Sequence, residues 1–333
     1  MNYSFKHLLL AGISMLASGL VYAQVTTSSL SGRIVDESGE PVIGAAVVAV
    51  HEPSGTSYGA VVNNSGQYTI NGMRTGGPYK VEVSALGYTT VVFKDITLQL
   101  AEVSNINATL KESSEFLEEV VVIGTAASKF STEKTGAATN ISNSQITSLP
   151  TVSRSLTDVT RLSPYGGNGM TFVGSDGRTA NFTVDGANFN NNFGLNEDLP
   201  GGGNPISIDA IEEMQVVISP YDVRQTDFIG GGVNAITKSG TNTFKGSAYV
   251  YHKNENLRGD TIDGQQITSA RDKDRNTIYG ATFGGPIIKN KLFFFVNFEY
   301  SKTPTVANRW RASTDGVMLP EDFVSRTTEA DLQ

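Results

Sequence analysis

From Ser28 to Leu110 the chain falls into short runs, most with apolar side chains at every second position and one, Ala45–His51, continuously apolar and β-branched, and most breaks between them hold Gly, Pro, Asn or Ser. The runs are Ser29–Asp36, Ala45–His51, Thr56–Val62, Gln67–Asn71, Tyr79–Ser84, Thr89–Leu98 and Val103–Leu110. Period-two alternation bounded by turn residues predicts β-strands, and Asn63-Asn64-Ser65-Gly66 between two of them reads as a hairpin turn. Seven short strands at this spacing predict a small β-sandwich. Within one strand, Tyr79, Val81 and Val83 should face its core and Lys80 and Glu82 water.

The pattern changes after Lys111. Residues 113–132 are more charged and less regular, as in a linker, but they hold one β-prone strip: Glu118, Glu119, Val120, Val121, Val122, Ile123 and Gly124. Flanked by Glu residues and Gly-Thr-Ala-Ala-Ser, the strip is read as a free extended segment suited to joining a partner's sheet edge. An eighth strand of the sandwich is the alternative. From Thr135 to Ser239 the texture is mixed. Ser144–Ser148 and Ser155–Leu162 suggest short helices, while Phe172–Val173, Asn181–Val184 and Met214–Ile218 suggest strands. Beyond Thr241 long alternating runs return. Asn242–His252 sets Phe244, Gly246, Ala248 and Val250 against Lys245, Ser247, Tyr249 and Tyr251. Thr277–Gly284 and Lys291–Tyr300 flank a turn at Gly285–Asn290. In the second of these, Leu292, Phe294, Val296, Phe298 and Tyr300 share one face, opposite Phe293, Phe295, Asn297 and Glu299. One apolar face and one more polar face suit a strand between lipid and a wet lumen, and about 10 residues cross a membrane when tilted.

The first residues decide the compartment. Lys6 and His7 precede an apolar run of 13 residues, Leu8–Leu20, and Val21-Tyr22-Ala23 supplies a signal-peptidase site. Cleavage is expected between Ala23 and Gln24, which exports the protein. The run is too short for a membrane span, which needs ~20 apolar residues. No later window is a transmembrane helix, so any insertion must use strands. The chain has 333 residues, a net charge of −8 and no cysteine. The negative charge argues against a nucleic-acid partner. The missing cysteine removes disulfides, thiolate metal sites and a lipid-attachment point.

Residues 32–50 (GRIVDESGEPVIGAAVVAV), 56–70 (TSYGAVVNNSGQYTI) and 79–92 (YKVEVSALGYTTVV) resemble the carboxypeptidase regulatory-like domain, a transthyretin-like sandwich without catalytic function. The shared positions are Gly32, Gly39-Glu40-Pro41, Gly44, Gly66 with Tyr68, and Gly87-Tyr88. Three later stretches resemble, in order, the plug of TonB-dependent outer-membrane receptors: Leu149–Pro164, Gly177–Asn190 with its Val184-Asp185-Gly186 turn, and Ile208–Asn242 with Gly230-Gly231-Gly232 and Thr237-Lys238-Ser239-Gly240. Ser219–Arg224 departs from the usual Gly-Pro there. The run Gly280–Tyr300 (GATFGGPIIKNKLFFFVNFEY) is similar to Oar-like receptors, and Glu118–Gly124 resembles the TonB box of the SusC-like and Oar-like receptors of Bacteroidetes type.

The resemblance implies a mainly β chain in five parts. These are a signal peptide (1–23), a carboxypeptidase regulatory-like β-sandwich (24–112), a linker with a TonB-box-like segment (113–132), an α+β plug (133–240) and the first strands of an antiparallel outer-membrane β-barrel (241–333). It also implies residence in the outer membrane with the N-terminal domain in the periplasm, contact with lipid, and coupling to the TonB complex through Glu118–Gly124. A large substrate would be moved across the membrane without any cofactor. The Gly-rich run is expected where the chain leaves the central sheet for the barrel wall. Asn188, Phe189, Asn190, Phe193 and Asn204 are the expected ligand contacts, because amides beside aromatic faces at a plug apex suit sugars or peptides. The stretch from Thr241 has room for only about four to six strands, against the ~22 of such transporters. The chain is therefore expected to be the N-terminal part of a longer protein.

The competing class is a non-catalytic secreted or surface-attached β-sandwich binding protein, which shares the signal and first domain but not the plug or aromatic hairpin. An enzyme is not expected. His252-Lys253-Asn254-Glu255 spells the H-x-x-E of zinc carboxypeptidases, yet the other histidines, His7 and His51, lie upstream and offer no third metal ligand. Lys238-Ser239 lacks the preceding glycine of a phosphate-binding loop. Export predicts that mature protein in the envelope fraction begins at Gln24. Intact mass showing retention of residues 1–23 would contradict this.

Overall fold

The computed structural model describes residues 25–113, 120–124, 137–149, 154–190, 199, 204–219, 225, 228–257, 259, 261–266, 275–304, 310–320 and 323–332. The predicted signal cleavage at Ala23-Gln24 lies outside them. Eight strands occupy the first part: β1 (Ser28–Asp36), β2 (Ala46–His51), β3 (Thr56–Val61), β4 (Gln67–Met73), β5 (Gly76–Ser84), β6 (Thr90–Leu98), β7 (Val103–Asn105) and β8 (Ala108–Leu110). β1 pairs β4 on one side and β7 and β8 in succession on the other, forming one sheet. β3, β2, β5 and β6 lie side by side in the second.

The two sheets close on one apolar core that takes Leu30 and Ile34 from β1, Val47 from β2, Val81 from β5 and Phe93 from β6. Tyr79, Val81 and Val83 are fully buried, while Lys80 and Glu82 are half-exposed and paired at 3.2 Å, as the alternation requires. The last run of the sandwich is two strands rather than one. At the break the Ile106 amide donates to the Ser31 carbonyl (2.8 Å) and the Ile106 carbonyl accepts from the Tyr68 hydroxyl (2.8 Å). Those bonds pull the backbone off a straight ladder, which side-chain alternation alone does not reveal.

A ninth strand, β9 (Val120–Gly124), runs parallel to β6 and completes the second sheet in the order β3-β2-β5-β6-β9. The central sheet of the next part has the order β10-β13-β14-β11-β12. It is built from β10 (Ala137–Ser142), β11 (Asn181–Val184), β12 (Ala187–Asn188), β13 (Ile211–Ser219) and β14 (Gly232–Thr237). Helices α1 (Asn143–Ser148) and α2 (Leu156–Thr160) bury Ile146, Leu156 and Val159 against it. The Ser142 amide donates to the Gln145 side chain (2.9 Å) and starts α1. The Ser155 hydroxyl accepts from the Thr157 amide (3.2 Å) and starts α2. Phe172 makes only an isolated bridge to Gly166, not the predicted strand.

The remaining strands are β15 (Lys245–Lys253), β16 (Thr261–Ile262), β17 (Gln265–Gln266), β18 (Asn276–Ile288), β19 (Leu292–Lys302), β20 (Arg311–Ser313) and β21 (Val324–Thr328). β15, β18 and β19 form a sheet in that order. The predicted turn at Gly285–Asn290 is shorter: Gly285–Ile288 continues β18, and the reversal falls at Lys289–Lys291, where Asn290 takes φ 62°. By packing, the chain divides into two compact units, Met1–Gly246 with Thr282–Asn297, and Ser247–Ala281 with Phe298–Gln333.

The sandwich carries a buried titratable group. His51, 4% exposed, bonds the Ser54 hydroxyl through Nδ1 (2.6 Å) and lies 4.9 Å from the Tyr79 ring, centre to centre. Burial, reinforced by the positive charge of Arg74, pushes its pKa down to about 4. The unfolded chain binds a proton near pH 6.5 that the folded one refuses. The neutral ring's contribution is therefore complete above ~6.5 and lost as pH falls from there to about 4. The melting temperature should drop between pH 7 and pH 4.5, and less steeply in His51→Gln. An unchanged slope in that variant would remove His51 from the acid response.

Candidate functional site

The strip predicted to be free is not free. Val120–Gly124 is a strand, paired in parallel with Thr90–Lys94 of β6 from Thr90↔Val120 to Lys94↔Gly124. This corrects the expectation of an unpaired segment in a linker; Glu118 and Glu119 lie outside the described residues. The physical reason lies in β6. One side is used by β5, which leaves a row of backbone donors and acceptors on the other, and a Val-rich strip of high β-propensity fills it. The chain is also delivered there. The Thr89 amide donates to the Lys111 carbonyl (2.8 Å), Tyr88 bridges Glu112, and the Ser113 amide donates to the Gly87 carbonyl (2.9 Å). These contacts hold the chain beside the start of β6 a few residues before the strip.

The five expected ligand contacts separate. Asn190 is spent on the fold: its Oδ1 accepts from the Phe182 amide (2.6 Å) and its Nδ2 donates to Asn181 Oδ1 (2.8 Å), which fastens the loop back onto β11. Asn204 is spent as well, with Oδ1 accepting from the Leu156 amide (2.9 Å) at the start of α2 and Nδ2 donating to the Arg154 carbonyl (3.1 Å). Phe189 is half-buried against the core of the central sheet. Asn188 is exposed, and its Oδ1 accepts from the Asn190 amide (2.8 Å). Phe193 lies outside the described residues. The structure thus gathers Asn188, Phe189 and Asn190 in one turn and leaves Asn204 at a helix start.

Two sequence motifs of the plug-like region turn out to be one device. At the Val184-Asp185-Gly186 turn, the Asp185 carboxylate accepts from the Thr237 amide (2.9 Å) and the Thr237 hydroxyl (2.7 Å), clasping the end of β14. The Gly-rich run sits at the other end of that strand. Gly230–Gly232 leads into β14 and the central sheet, not out of it as expected, and glycine is needed there since a Cβ at Gly231 would lie 2.5 Å from the Phe172 ring. The chain leaves the sheet after Thr237. There Gly240 passes so close to backbone that a Cβ would stand 2.4 Å from the Phe294 carbonyl oxygen and 2.7 Å from that of Gly285.

Sequence reasoning missed a polar face on the central sheet. Ile211, Met214 and Val216 of β13 and Val233 and Ala235 of β14 fill the apolar core. On the opposite side the sheet turns polar groups toward the sandwich backbone. The Leu100 amide donates to Glu213 Oε1 (3.0 Å), and the Leu100 carbonyl accepts from Gln215 Nε2 (2.9 Å) and Asn140 Nδ2 (3.1 Å). Asn234 Nδ2 donates to the Val25 carbonyl (2.6 Å). Glu213 and Gln215 are buried. The signal was there: two polar residues at period two in a strand whose neighbours are apolar.

In the aromatic sheet Phe244, Phe283 and Phe294 pack together, the first two stacked with ring centres 5.9 Å apart. Leu292, Val296, Phe298 and Tyr300, which share the Phe294 face by alternation, stand 48–63% exposed. On the other face the Tyr249 hydroxyl donates to Glu299 Oε2 (2.7 Å). A soluble protein rarely shows contiguous apolar side chains of this extent to water, whereas a strand with lipid on one side and a lumen on the other requires them.

Residues 29–111 match the carboxypeptidase regulatory-like domain and residues 236–314 an outer membrane beta barrel domain. The class is therefore an outer-membrane β-barrel protein that carries an accessory sandwich. Over 92% of its length the chain is 26% identical to the TonB-dependent transporter Oar of Myxococcus xanthus, and it spans 30% of that protein. It is 32% identical over 37% of its length to the TonB-dependent receptor SusC of Bacteroides thetaiotaomicron, of which it spans 11%. Among solved structures, the siderophore receptor PirA from Acinetobacter baumannii covers 50% of this chain and 24% of its own, at 22% identity and a TM-score of 0.38. The domain matches and the two relatives support a likeness to the N-terminal part of TonB-dependent receptors, of whose length the chain spans less than a third.

Because both ends of its amide are used internally, Asn190→Ala should act on folding. Losing a half-buried amide that holds two partners costs about 1–3 kcal/mol, read as a lower unfolding midpoint. Unchanged stability together with weakened ligand binding would return Asn190 to a recognition role.

Proposed function

We propose that this chain forms the periplasm-facing and plug portion of a transporter that carries a large substrate across the outer membrane, with energy delivered by TonB. In the whole protein further strands close the barrel around the plug, since lipid tolerates no open sheet edge. The observation that carries the reading is the order of parts along one chain. A sandwich comes first, then a five-residue strand at its edge (Val120–Gly124), then a mixed sheet with the Asp185–Thr237 clasp, then strands with an aromatic outer face. In that order the strip stands upstream of the plug-like sheet, so a pull on it is transmitted toward the plug.

Coupling follows from backbone chemistry. An extended segment of β-branched residues offers donors and acceptors to a partner's sheet edge without needing a shaped pocket. Glu118 and Glu119 add negative charge at its start, which favours a basic partner surface. Substrate contacts fall to the turn Asn188–Asn190, where the exposed Asn188 amide and the Phe189 ring are the groups able to meet a sugar or a peptide, and to Phe193 beyond it. Asn204 serves the start of α2 instead.

Val121→Pro removes a backbone donor from the middle of the strip. In the full-length receptor it should abolish energised uptake while substrate binding and membrane insertion stay at wild-type levels. Undiminished uptake would refute coupling through Val120–Gly124.

A further inference from the structure

The coupling strip is already a strand of another sheet. A backbone edge can be used once, so whatever pairs with Val120–Gly124 along the edge turned to β6 must first displace β6. We propose that the Thr90–Lys94 edge of the accessory sandwich is the resting site of the coupling strip, and that the sandwich and TonB compete for it. This rests on the reading of Val120–Gly124 as the coupling segment.

Three observations carry it. The pairing is in register over all five residues of the strip, with no bulge. It is fed by a separate clip, the Thr89–Lys111 and Gly87–Ser113 hydrogen bonds with the Tyr88–Glu112 bridge, which lies on the sandwich just ahead of the strip. Such a tether keeps the strip at high local concentration beside its edge, so release is reversible and recapture fast. Finally, the other attachments of β6 do not run through β9. β6 is paired with β5 and its inward residues Val91 and Phe93 lie in the core, so the edge strand can leave while those contacts hold. A parked strip is also shielded from pairing with other exposed edges. The accessory domain thus has a function of its own, as an acceptor for one extended segment of the same chain.

These 333 residues hold no cysteine, so the introduced pairs meet no native thiol among them. Val92 and Val122 are register partners, and Val92, although buried, lies outside the sandwich core cluster. Adjacent strands run ~4.8 Å apart, within the span a disulfide closes. In the full-length receptor, V92C/V122C should oxidise to an internal disulfide in the absence of substrate. Energised uptake should be lost in the oxidised form and return on reduction, with substrate binding unaltered throughout. E82C/V92C, register partners within the β5–β6 pair, controls for oxidant access and should leave uptake intact. If this control closes and V92C/V122C does not, the resting site is overturned, while coupling is still judged separately by Val121→Pro. If V92C/V122C closes and uptake continues, competition is overturned, and an inactive Val121→Pro would then leave the coupling reading standing.

Discussion

The unpaired edge of a β-sheet is the constraint on which this structure turns. Each edge strand presents a row of donors and acceptors that must find protein or water, and in lipid only protein will do. The sandwich meets the requirement at β6 by recruiting five residues from beyond its own boundary. Each hydrogen bond so made is worth only about 0.5–1.5 kcal/mol net, because water offers nearly as much. That magnitude makes β9 different in kind from the strands inside. Tyr79, Val81 and Val83 are committed by burial; β9 adds its backbone pairing with β6.

The central sheet shows how one strand can serve two purposes. β13 turns Met214 and Val216 into the apolar core and Glu213 and Gln215 toward the backbone of residues around Leu100. An apolar surface there would fasten sandwich to plug-like sheet through area alone. Side-chain hydrogen bonds to backbone fix the same geometry while leaving groups that water can satisfy if the two part. The Asp185–Thr237 clasp and the passage at Gly240 then set the course of the chain into the aromatic strands, where Phe244, Phe283 and Phe294 pack together.

Much of this was legible in the sequence, because alternation reports burial directly. The sandwich, the core direction of Tyr79–Val83 and the two faces of Leu292–Tyr300 all follow from period two. What escaped has a common cause in long-range pairing. β10 (Ala137–Ser142) and β14 (Gly232–Thr237) are poor in large apolar residues and become strands because β13 lies between them. The strip at Val120–Gly124 has the propensity of a strand but no local sign of which edge it will choose. Asn190 and Asn204 read as solvent-facing amides in polar loops, and only the fold reveals that each is consumed by backbone groups 8 and 48 residues away. Charge and composition argued against a nucleic-acid partner but said nothing about those positions.

The central claim is that Val120–Gly124 is the segment TonB engages. The most direct measurement places single cysteines along the strip of the full-length receptor in living cells, opposite cysteines in the periplasmic domain of TonB, and follows disulfide formation during uptake. Receptor–TonB species that form at several strip positions and grow when substrate is supplied are the predicted result. Crosslinks absent from every position of Val120–Gly124 in cells that are importing substrate would contradict it.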